Sequence, residues 1–188
     1  MAMHTSDTVS PWIERFAALV PGGEVLDLAC GSGRHARHMV KLGHAVVAVD
    51  ADPEALAAAA GDGIQTSQID LEEEGAAWPF GAGRFAGIVV TNYLHRPLLD
   101  AMVGSLAANG MLLYETFADG NAAFGKPSRP AFLLQPGELL ELANKHGLRV
   151  IAYEDGVVNH PKPAMVQRIC AVRADFPREA ALLAAFEG

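Results

Sequence analysis

The sequence has few of the residues that characterise disulfide-rich, nucleic-acid-binding or membrane proteins. Only two cysteines, Cys30 and Cys170, occur in 188 residues, and we interpret each as a small buried side chain rather than half of a disulfide. Lys and Arg number 14 against 22 Asp and Glu, and the resulting net charge of −8 favours a small-molecule partner over nucleic acid. No apolar run approaches a membrane span, and residues 1–16 contain no apolar signal core, so we expect no membrane association and a cytoplasmic location.

Apolar residues, by contrast, make up 51% of the chain and fall in short runs of the kind that form buried strands. Seven such runs are predicted as strands: 24–30, 44–50, 64–70, 85–94, 111–117, 148–158 and 164–174. The last two are expected to be antiparallel.

Helix patterns separate these runs. An amphipathic segment after Pro11 predicts a cover helix within residues 1–20, and further helices are predicted over 33–43, 52–61, 96–110, 137–147 and 177–188. The alternation predicts a single α/β domain over 1–188, with a doubly wound, Rossmann-like, seven-stranded sheet and helices on both faces. That sheet should be mostly parallel with an antiparallel last strand.

Residues 118–137 form the longest predicted loop and contain three prolines. Loops of this length in compact domains are usually functional or disordered, so this one is interpreted as a lid-like loop over a ligand.

The turn after the first strand predicts a nucleotide-like ligand. Gly31-Ser32-Gly33 with Ala36 matches the G-x-G-x-x-A pattern, in which glycines let the backbone approach a ligand. Asp50, at the end of the second strand, stands where an acid binds the ribose hydroxyls of NAD or of S-adenosylmethionine. Asp27, just before the turn, would repel a pyrophosphate but attract an ammonium group, although it could instead cap backbone amides of the turn.

These residues resemble a known family. "VLDLACGSGRHARHMVKLGHAVVAVDADPEAL" is similar to motifs I and II of class I S-adenosylmethionine-dependent methyltransferases, and its G-x-G-R turn with "LGHAVVAVD" resembles the small tellurite-resistance and thiopurine branch. The resemblance implies S-adenosylmethionine as cofactor, S-adenosylhomocysteine as product, and a small-molecule methyl acceptor.

The same resemblance implies roles for residues around the cofactor. Asp27, Gly31 and Gly33 would hold its methionine part, Asp50 its ribose, and Ala51 its ribose or adenine edge. Ala29 is a further expected cofactor contact. Asp70 and Leu71 would bracket the adenine, and Asn92 would line the methyl side.

Candidate residues for the acceptor are less sharply defined. Tyr93 and His95 are at a suitable strand end to serve as a general base, although His95 could also be a solvated residue at a helix start. Residues proposed to contact the acceptor are Tyr93, Arg96, Glu115, Asn121, Lys126 and Arg129. The segment "TNYLHR" departs from the "NPPY" tetrapeptide of adenine and glutamine-amide methyltransferases, so those acceptor classes are disfavoured.

His35 and His38 are spaced to share one helix face, but no third ligand follows at metal-binding spacing, so we expect no metal and a solvated or adenosine-flanking face. Two alternative functions remain open at this point: an NAD-dependent oxidoreductase, and a non-catalytic S-adenosylmethionine-binding protein. A homodimer is a possible assembly.

Overall fold

A computed structural model describes residues 8–182, and its centre is a single seven-stranded sheet. The strand order is β3-β2-β1-β4-β5-β7-β6; β7 runs antiparallel to both neighbours, and every other pairing is parallel. The strands are β1 (Val25–Leu28), β2 (Val46–Asp50), β3 (Ile64–Gln68), β4 (Phe85–Thr91), β5 (Leu106–Phe117), β6 (Arg149–Val158) and β7 (Ala164–Val172). The predicted sheet, with its antiparallel last strand, is confirmed.

Helices cover both faces of this sheet. They are α1 (Pro11–Ala17), α2 (Arg34–Lys41), α3 (Pro53–Ala59), α4 (Leu99–Gly104) and α5 (Glu138–Lys145). The first three bury their apolar sides in one core, and α4 and α5 bury theirs in a second core on the opposite face. None of the helices in the described range is long and apolar enough to cross a membrane.

Local sequence signals account for where α1 and α3 begin. Ser10 and Asp52 are the N-cap residues, and their side chains accept hydrogen bonds from the backbone N–H groups of Trp12 and Glu54. A proline follows each cap at the first helical position, where its missing N–H costs nothing.

The predicted helix over residues 96–110 is wrong in its second half. A 3₁₀ turn at Arg96–Leu98 leads into α4, which ends at Gly104, and β5 begins two residues later. Leu106 pairs with Phe85 of β4, and the register then shifts before Gly87 pairs with Met111. Pairing with β4 therefore overrides the helix propensity of the alanine-rich segment.

The predicted C-terminal helix over 177–188 lies partly outside the described residues. Within them, only a short 3₁₀ turn forms, at Arg178–Ala180.

Candidate functional site

The carboxyl ends of the central parallel strands surround a cavity of about 230 Å³. It lies at the edge where the strand order reverses between β1 and β4, which is the expected ligand position in an open α/β sheet. Six residues singled out from the sequence line it: Ala29, Asp50, Ala51, Asp70, Leu71 and Tyr93. Residues that are up to 64 positions apart in sequence are thus brought to one site.

Asp50 joins the second strand to the glycine turn. Its Oδ2 accepts a hydrogen bond from the Gly31 N–H at 2.8 Å, and its Oδ1 accepts one from the Asp52 N–H at 3.0 Å. Each carboxylate oxygen can accept a second hydrogen bond, so the side chain can still receive a pair of ribose hydroxyls.

Asp27 lies behind the turn and is only 1% exposed. Its Oδ2 accepts a hydrogen bond from the Ala36 N–H of α2 at 2.9 Å, so the capping role considered from the sequence is present. Burial raises the pKa of this carboxyl to about 7, even though the Ala36 hydrogen bond and the nearby Arg34 lower it. The group is therefore poised to ionise when a cation comes close.

The two glycines of the turn are required for different reasons. Both have left-handed backbones, with φ of +53° at Gly31 and +78° at Gly33. A Cβ on Gly31 would meet nothing within 4 Å, so its backbone is open to a ligand, whereas a Cβ on Gly33 would lie 2.6 Å from the Ala59 Cβ. Gly33 is thus needed for the approach of α3, while the sequence pattern had suggested ligand access at both glycines.

Two non-glycine residues at neighbouring strand ends also have left-handed backbones. Ala29 follows β1 with φ of +52°, and Asn92 follows β4 with φ of +56°. For Ala29 this conformation costs about 1–2 kcal/mol, because its Cβ crowds a carbonyl oxygen. Strain of this kind concentrates at functional sites. Asn92 is exposed and outside the residues that line the cavity.

A third acid in the cavity, Glu72, was missed by the sequence analysis. Asp70 Oδ1 accepts a hydrogen bond from the Glu72 N–H at 2.9 Å, which closes a short turn. Glu72 then lines the cavity. The Glu72 carboxylate interacts with the Tyr93 hydroxyl. Burial, and then the charge of Glu72, raise the pKa of Tyr93 above its usual range. Tyr93 therefore keeps its proton and is unsuited to be the general base that the sequence suggested.

His95, the other predicted base, lines a different cavity. This neighbouring groove of about 490 Å³ shares Leu71 and Glu72 with the first cavity and is also lined by Trp78. Tyr93 and His95 therefore line two adjoining cavities, with Leu71 and Glu72 common to both.

Two of the residues predicted to contact the acceptor are engaged in structural hydrogen bonds. Arg96 binds both carboxylate oxygens of Glu138, at 2.6 and 2.8 Å, and also the carbonyl oxygens of Ala131 and Leu133. Glu115 accepts from the Ser10 hydroxyl at 2.7 Å and from Arg168 at 3.1 Å. Both side chains hold the fold together around the site.

The environment of Asn121 differs most clearly from its predicted role of contacting the acceptor. Its side chain is buried, donates to the Pro127 carbonyl at 2.9 Å and accepts from the Met165 N–H at 3.0 Å, which leaves no exposed amide atom for a substrate. Lys126 and Arg129 are exposed.

The predicted lid-like loop, residues 118–137, is fastened to the sheet at both ends. Asp119 donates to the Leu134 carbonyl at 2.8 Å, and Leu134, fully buried, donates to the Phe117 carbonyl at 3.0 Å. Between these bonds the chain forms 3₁₀ turns at Asn121–Ala123 and Pro130–Phe132. Only the stretch around 122–131 extends away from the core.

The sequence predicts that the histidines of α2 are solvated or flank the adenosine. His38 is partly exposed, but His35 is 1% exposed, so the solvated alternative is wrong for His35, because both of its ring nitrogens have partners inside the protein. The adenosine-flanking alternative stays a prediction. Among residues 8–182, no group of three or more His, Cys, Asp or Glu side chains is arranged to hold a metal ion.

Comparison with known proteins gives similarities over the part of the chain that carries this site. Residues 25–109, from β1 into β5 and just under half of the chain, match a family model described as a methyltransferase domain. The match includes the glycine turn and every residue that lines the cavity, Asp50 and Asp70 among them.

One curated relative and several solved structures are also similar to this chain. An uncharacterised methyltransferase of Synechocystis is 37% identical over 79 residues, which are 42% of this chain and only 36% of that relative. TehB from Haemophilus influenzae superposes with a TM-score of 0.71 at 18% identity, covering 88% of this chain and 62% of TehB. A Burkholderia thailandensis 1,6-didemethyltoxoflavin-N1-methyltransferase superposes with a TM-score of 0.64 at 21% identity, covering 92% of this chain and 80% of that structure. The fold is that of class I S-adenosylmethionine-dependent methyltransferases.

The residues around the cavity fit S-adenosylmethionine. The cavity offers carboxylates for ribose hydroxyls and for an adenine amino group, and apolar walls from Leu28, Ile69 and Leu71 for a ring. Burial, and to a smaller extent the charge of Asp50, raise the pKa of Asp27, and the ammonium group at the other end of the ligand would lower it and favour the carboxylate.

Proposed function

We propose that the protein is a cytoplasmic enzyme that transfers the methyl group of S-adenosylmethionine to a small-molecule acceptor. The observation that carries the proposal is the cavity at the ends of β1, β2 and β3, with Asp50 and Asp70 on its walls and the glycine turn hydrogen-bonded to Asp50. In this arrangement Asp50 would bind the ribose, Asp70 and Leu71 the adenine, and Asp27 the ammonium group.

The charge of the cavity argues against the NAD-dependent alternative. Among its described lining residues, three are acids, Asp50, Asp70 and Glu72, and none is Lys or Arg. A pyrophosphate would meet like charges there, whereas the positive charges of S-adenosylmethionine would meet opposite ones.

Methyl transfer from S-adenosylmethionine requires the protein mainly to orient the donor and the acceptor. S-adenosylmethionine supplies a methyl group on a sulfonium, which is already an activated leaving group. The chain's part is to hold the donor in place, exclude water and align the acceptor for in-line attack. Because Tyr93 stays protonated, an acceptor that needs a general base would have to use His95 from the adjoining groove, whereas a thiolate or a ring nitrogen lone pair would need none.

A small-molecule acceptor is supported by composition and by one of the structural neighbours. The net charge of −8 disfavours nucleic acid, and the Burkholderia neighbour is a methyltransferase with the small heterocycle 1,6-didemethyltoxoflavin bound beside S-adenosylhomocysteine.

Calorimetry with S-adenosylhomocysteine tests the cofactor site. We expect the wild-type chain to bind it, the Asp50→Ala variant to bind severely more weakly, and Asp62→Ala, an exposed acid outside the cavity, to bind as the wild type does. A fluorescence titration with NADH runs in parallel. Binding of NADH without S-adenosylhomocysteine would reverse the ranking of the two functions.

Methyl transfer is tested separately from binding. The protein is incubated with isotope-labelled S-adenosylmethionine and a panel of thiol, oxyanion, carboxylate, amine and ring-nitrogen acceptors. Labelled product formed by the wild type but not by Asp50→Ala identifies an enzyme and its acceptor class. Tight donor binding with no product across the panel would favour the non-catalytic binding protein.

A further inference from the structure

His35 is buried beside the proposed donor site, and neither donor nor acceptor binding explains it. It is the second residue of α2, and this helix directly follows the glycine turn. Its Nε2 lies 3.1 Å from the backbone N of Ser10, and its Nδ1 lies 3.4 Å from the Thr91 hydroxyl. A buried imidazole with two partners of this kind constrains the elements that carry them.

The protonation of the ring follows from its partners. A backbone N–H can only donate, so Nε2 is the acceptor, and a neutral ring then carries its proton on Nδ1, directed at the Thr91 oxygen. Burial, with smaller contributions from the charges of Arg34 and His38, lowers the pKa of His35 to about 3. The ring is therefore neutral at physiological pH, and this hydrogen-bonding pattern persists there.

Ser10 extends the connection to β5. It is buried and caps α1, with its Oγ accepting from the Trp12 N–H at 3.2 Å and donating to Glu115 Oε1 at 2.7 Å. The start of α1 is thus tied through its backbone to α2 and through its side chain to the end of β5.

Thr91 brings the end of β4 into the same group of contacts. The next residue is Asn92, whose strained backbone donates its N–H to the Glu115 carbonyl at 3.0 Å. Around His35, the glycine-turn helix, the end of β4, the end of β5 and the start of α1 therefore converge on one buried cluster, formed by Ser10, His35, Thr91 and Glu115.

We propose that His35 is a positioning residue, which fastens the start of α1 and the end of β4 to the glycine turn and so holds that turn in its donor-binding conformation. The effect of His35 on donor binding rests on the proposed function. The coupling of α1 to α2 through the His35 ring does not depend on it.

Three variants separate this role from mere packing. His35→Phe keeps the ring volume and removes both hydrogen bonds. His35→Gln places an amide oxygen near the position of Nε2 and can still accept from Ser10. His38→Gln changes the other histidine of the same helix, which makes none of these contacts, and serves as the matched control.

Two measurements are made on each folded variant. Hydrogen–deuterium exchange without ligand reports the opening of residues 8–17, and calorimetry with S-adenosylhomocysteine reports the donor site. For His35→Phe we expect exchange in residues 8–17 to be about tenfold faster and the Kd about tenfold weaker, the effect of losing one to two buried hydrogen bonds. His35→Gln should recover part of both changes, and His38→Gln should match the wild type.

Unchanged exchange and an unchanged Kd in folded His35→Phe would overturn the proposal. Faster exchange with an unchanged Kd would overturn it too, because His35 would then hold α1 without affecting the turn. If His35→Phe fails to fold, Thr91→Val is measured instead, because it removes the hydrogen-bond partner of Nδ1 at equal side-chain volume. It must show faster exchange over residues 8–17 and a weaker Kd, each by a smaller factor. Unchanged exchange and an unchanged Kd in Thr91→Val would overturn the proposal. Failure of the wild type to bind S-adenosylhomocysteine would instead contradict the proposed function, and the exchange comparison would still test the coupling.

Discussion

The Asp50 carboxylate accepts a hydrogen bond from the Gly31 N–H at 2.8 Å. The acid that ends the second strand and the glycine turn that follows the first are thus one bonded unit before any ligand is present. Such a unit lowers the cost of ordering the site when a ligand binds, because the turn is already held.

Replacing Asp50 with Asn tests how much this unit depends on charge. The amide keeps one acceptor oxygen but loses the second and the negative charge, and hydrogen bonds to charged groups contribute about 1.5–3 kcal/mol each. We expect the Kd for S-adenosylhomocysteine to rise by roughly 10- to 100-fold in calorimetry. The melting temperature should fall by about 2–4 °C for each kcal/mol lost, because one of the two backbone N–H groups bound by Asp50 loses its acceptor. A Kd within twofold of the wild-type value would show that Asp50 does not contact the ligand.

Asp27 predicts a pH dependence of donor binding. In the free protein burial raises its pKa to about 7, and a ligand ammonium would favour the ionised form and lower that pKa. Binding then releases a proton below pH 7, so affinity should rise as pH rises and level off above it. Calorimetry should find the Kd for S-adenosylhomocysteine about tenfold lower at pH 8 than at pH 6, and Asp27→Asn should lose this dependence. A Kd that is the same at both values in the wild type would mean that Asp27 stays protonated in the complex.

His35 predicts a pH dependence of folding stability that runs in the same direction. An imidazole with a folded pKa of about 3 stays neutral while the unfolded chain takes up a proton below about 6.5, so the ring's contribution to folding is lost as pH falls through that value. Between pH 7 and pH 5 this loss is about 2 kcal/mol. Since glutamine does not titrate, the stability gap between wild type and His35→Gln should narrow by about that amount in urea unfolding. A gap that is constant with pH would contradict the neutral, buried ring.

Arg96 is predicted to matter for the loop rather than for the acceptor. Arg96→Ala removes the bonds to Glu138, Ala131 and Leu133 and should lower the melting temperature by about 2–4 °C, with faster hydrogen exchange over residues 129–138. Glu138→Gln, which weakens the same contact from the other side, should produce a smaller change at the same residues. An effect of Arg96→Ala confined to the acceptor KM would restore the substrate role.

Tyr93→Phe distinguishes a wall residue from a base. Because its pKa is raised by burial and by Glu72, the hydroxyl is protonated throughout the physiological range. With any acceptor that supports turnover, we expect Tyr93→Phe to keep kcat within about threefold and to leave the shape of the pH profile unchanged. A drop of 100-fold or more would identify Tyr93 as a proton-transfer group.

The sequence predicted the sheet and the acids at its strand ends because both depend on local patterns. Buried parallel strands need continuous apolar runs, and an acid that ends such a run can only lie at the sheet's carboxyl edge. Asp50 and Asp70 were therefore identified without knowledge of the tertiary structure.

What the sequence could not predict depends on contacts between distant segments. Residues 105–110 have helix-forming alanines, and only their pairing with Phe85 makes them a strand. His35 looked solvated because its partners, Ser10 and Thr91, are 25 and 56 residues away. The same holds for Arg96, whose partner Glu138 is on the far side of the long loop.

The absent side chain of Gly33 has a consequence for how this site can change over evolution. Because a Cβ there would collide with Ala59, the last residue of α3, positions 33 and 59 share one small volume and cannot both grow. A larger residue at 59 would push α3 away from the turn and widen the ligand's surroundings without altering any residue that contacts the ligand. A substitution at position 59 would therefore change the affinity for the donor, although the residue lies on an outer helix. In related sequences, positions 33 and 59 should vary together.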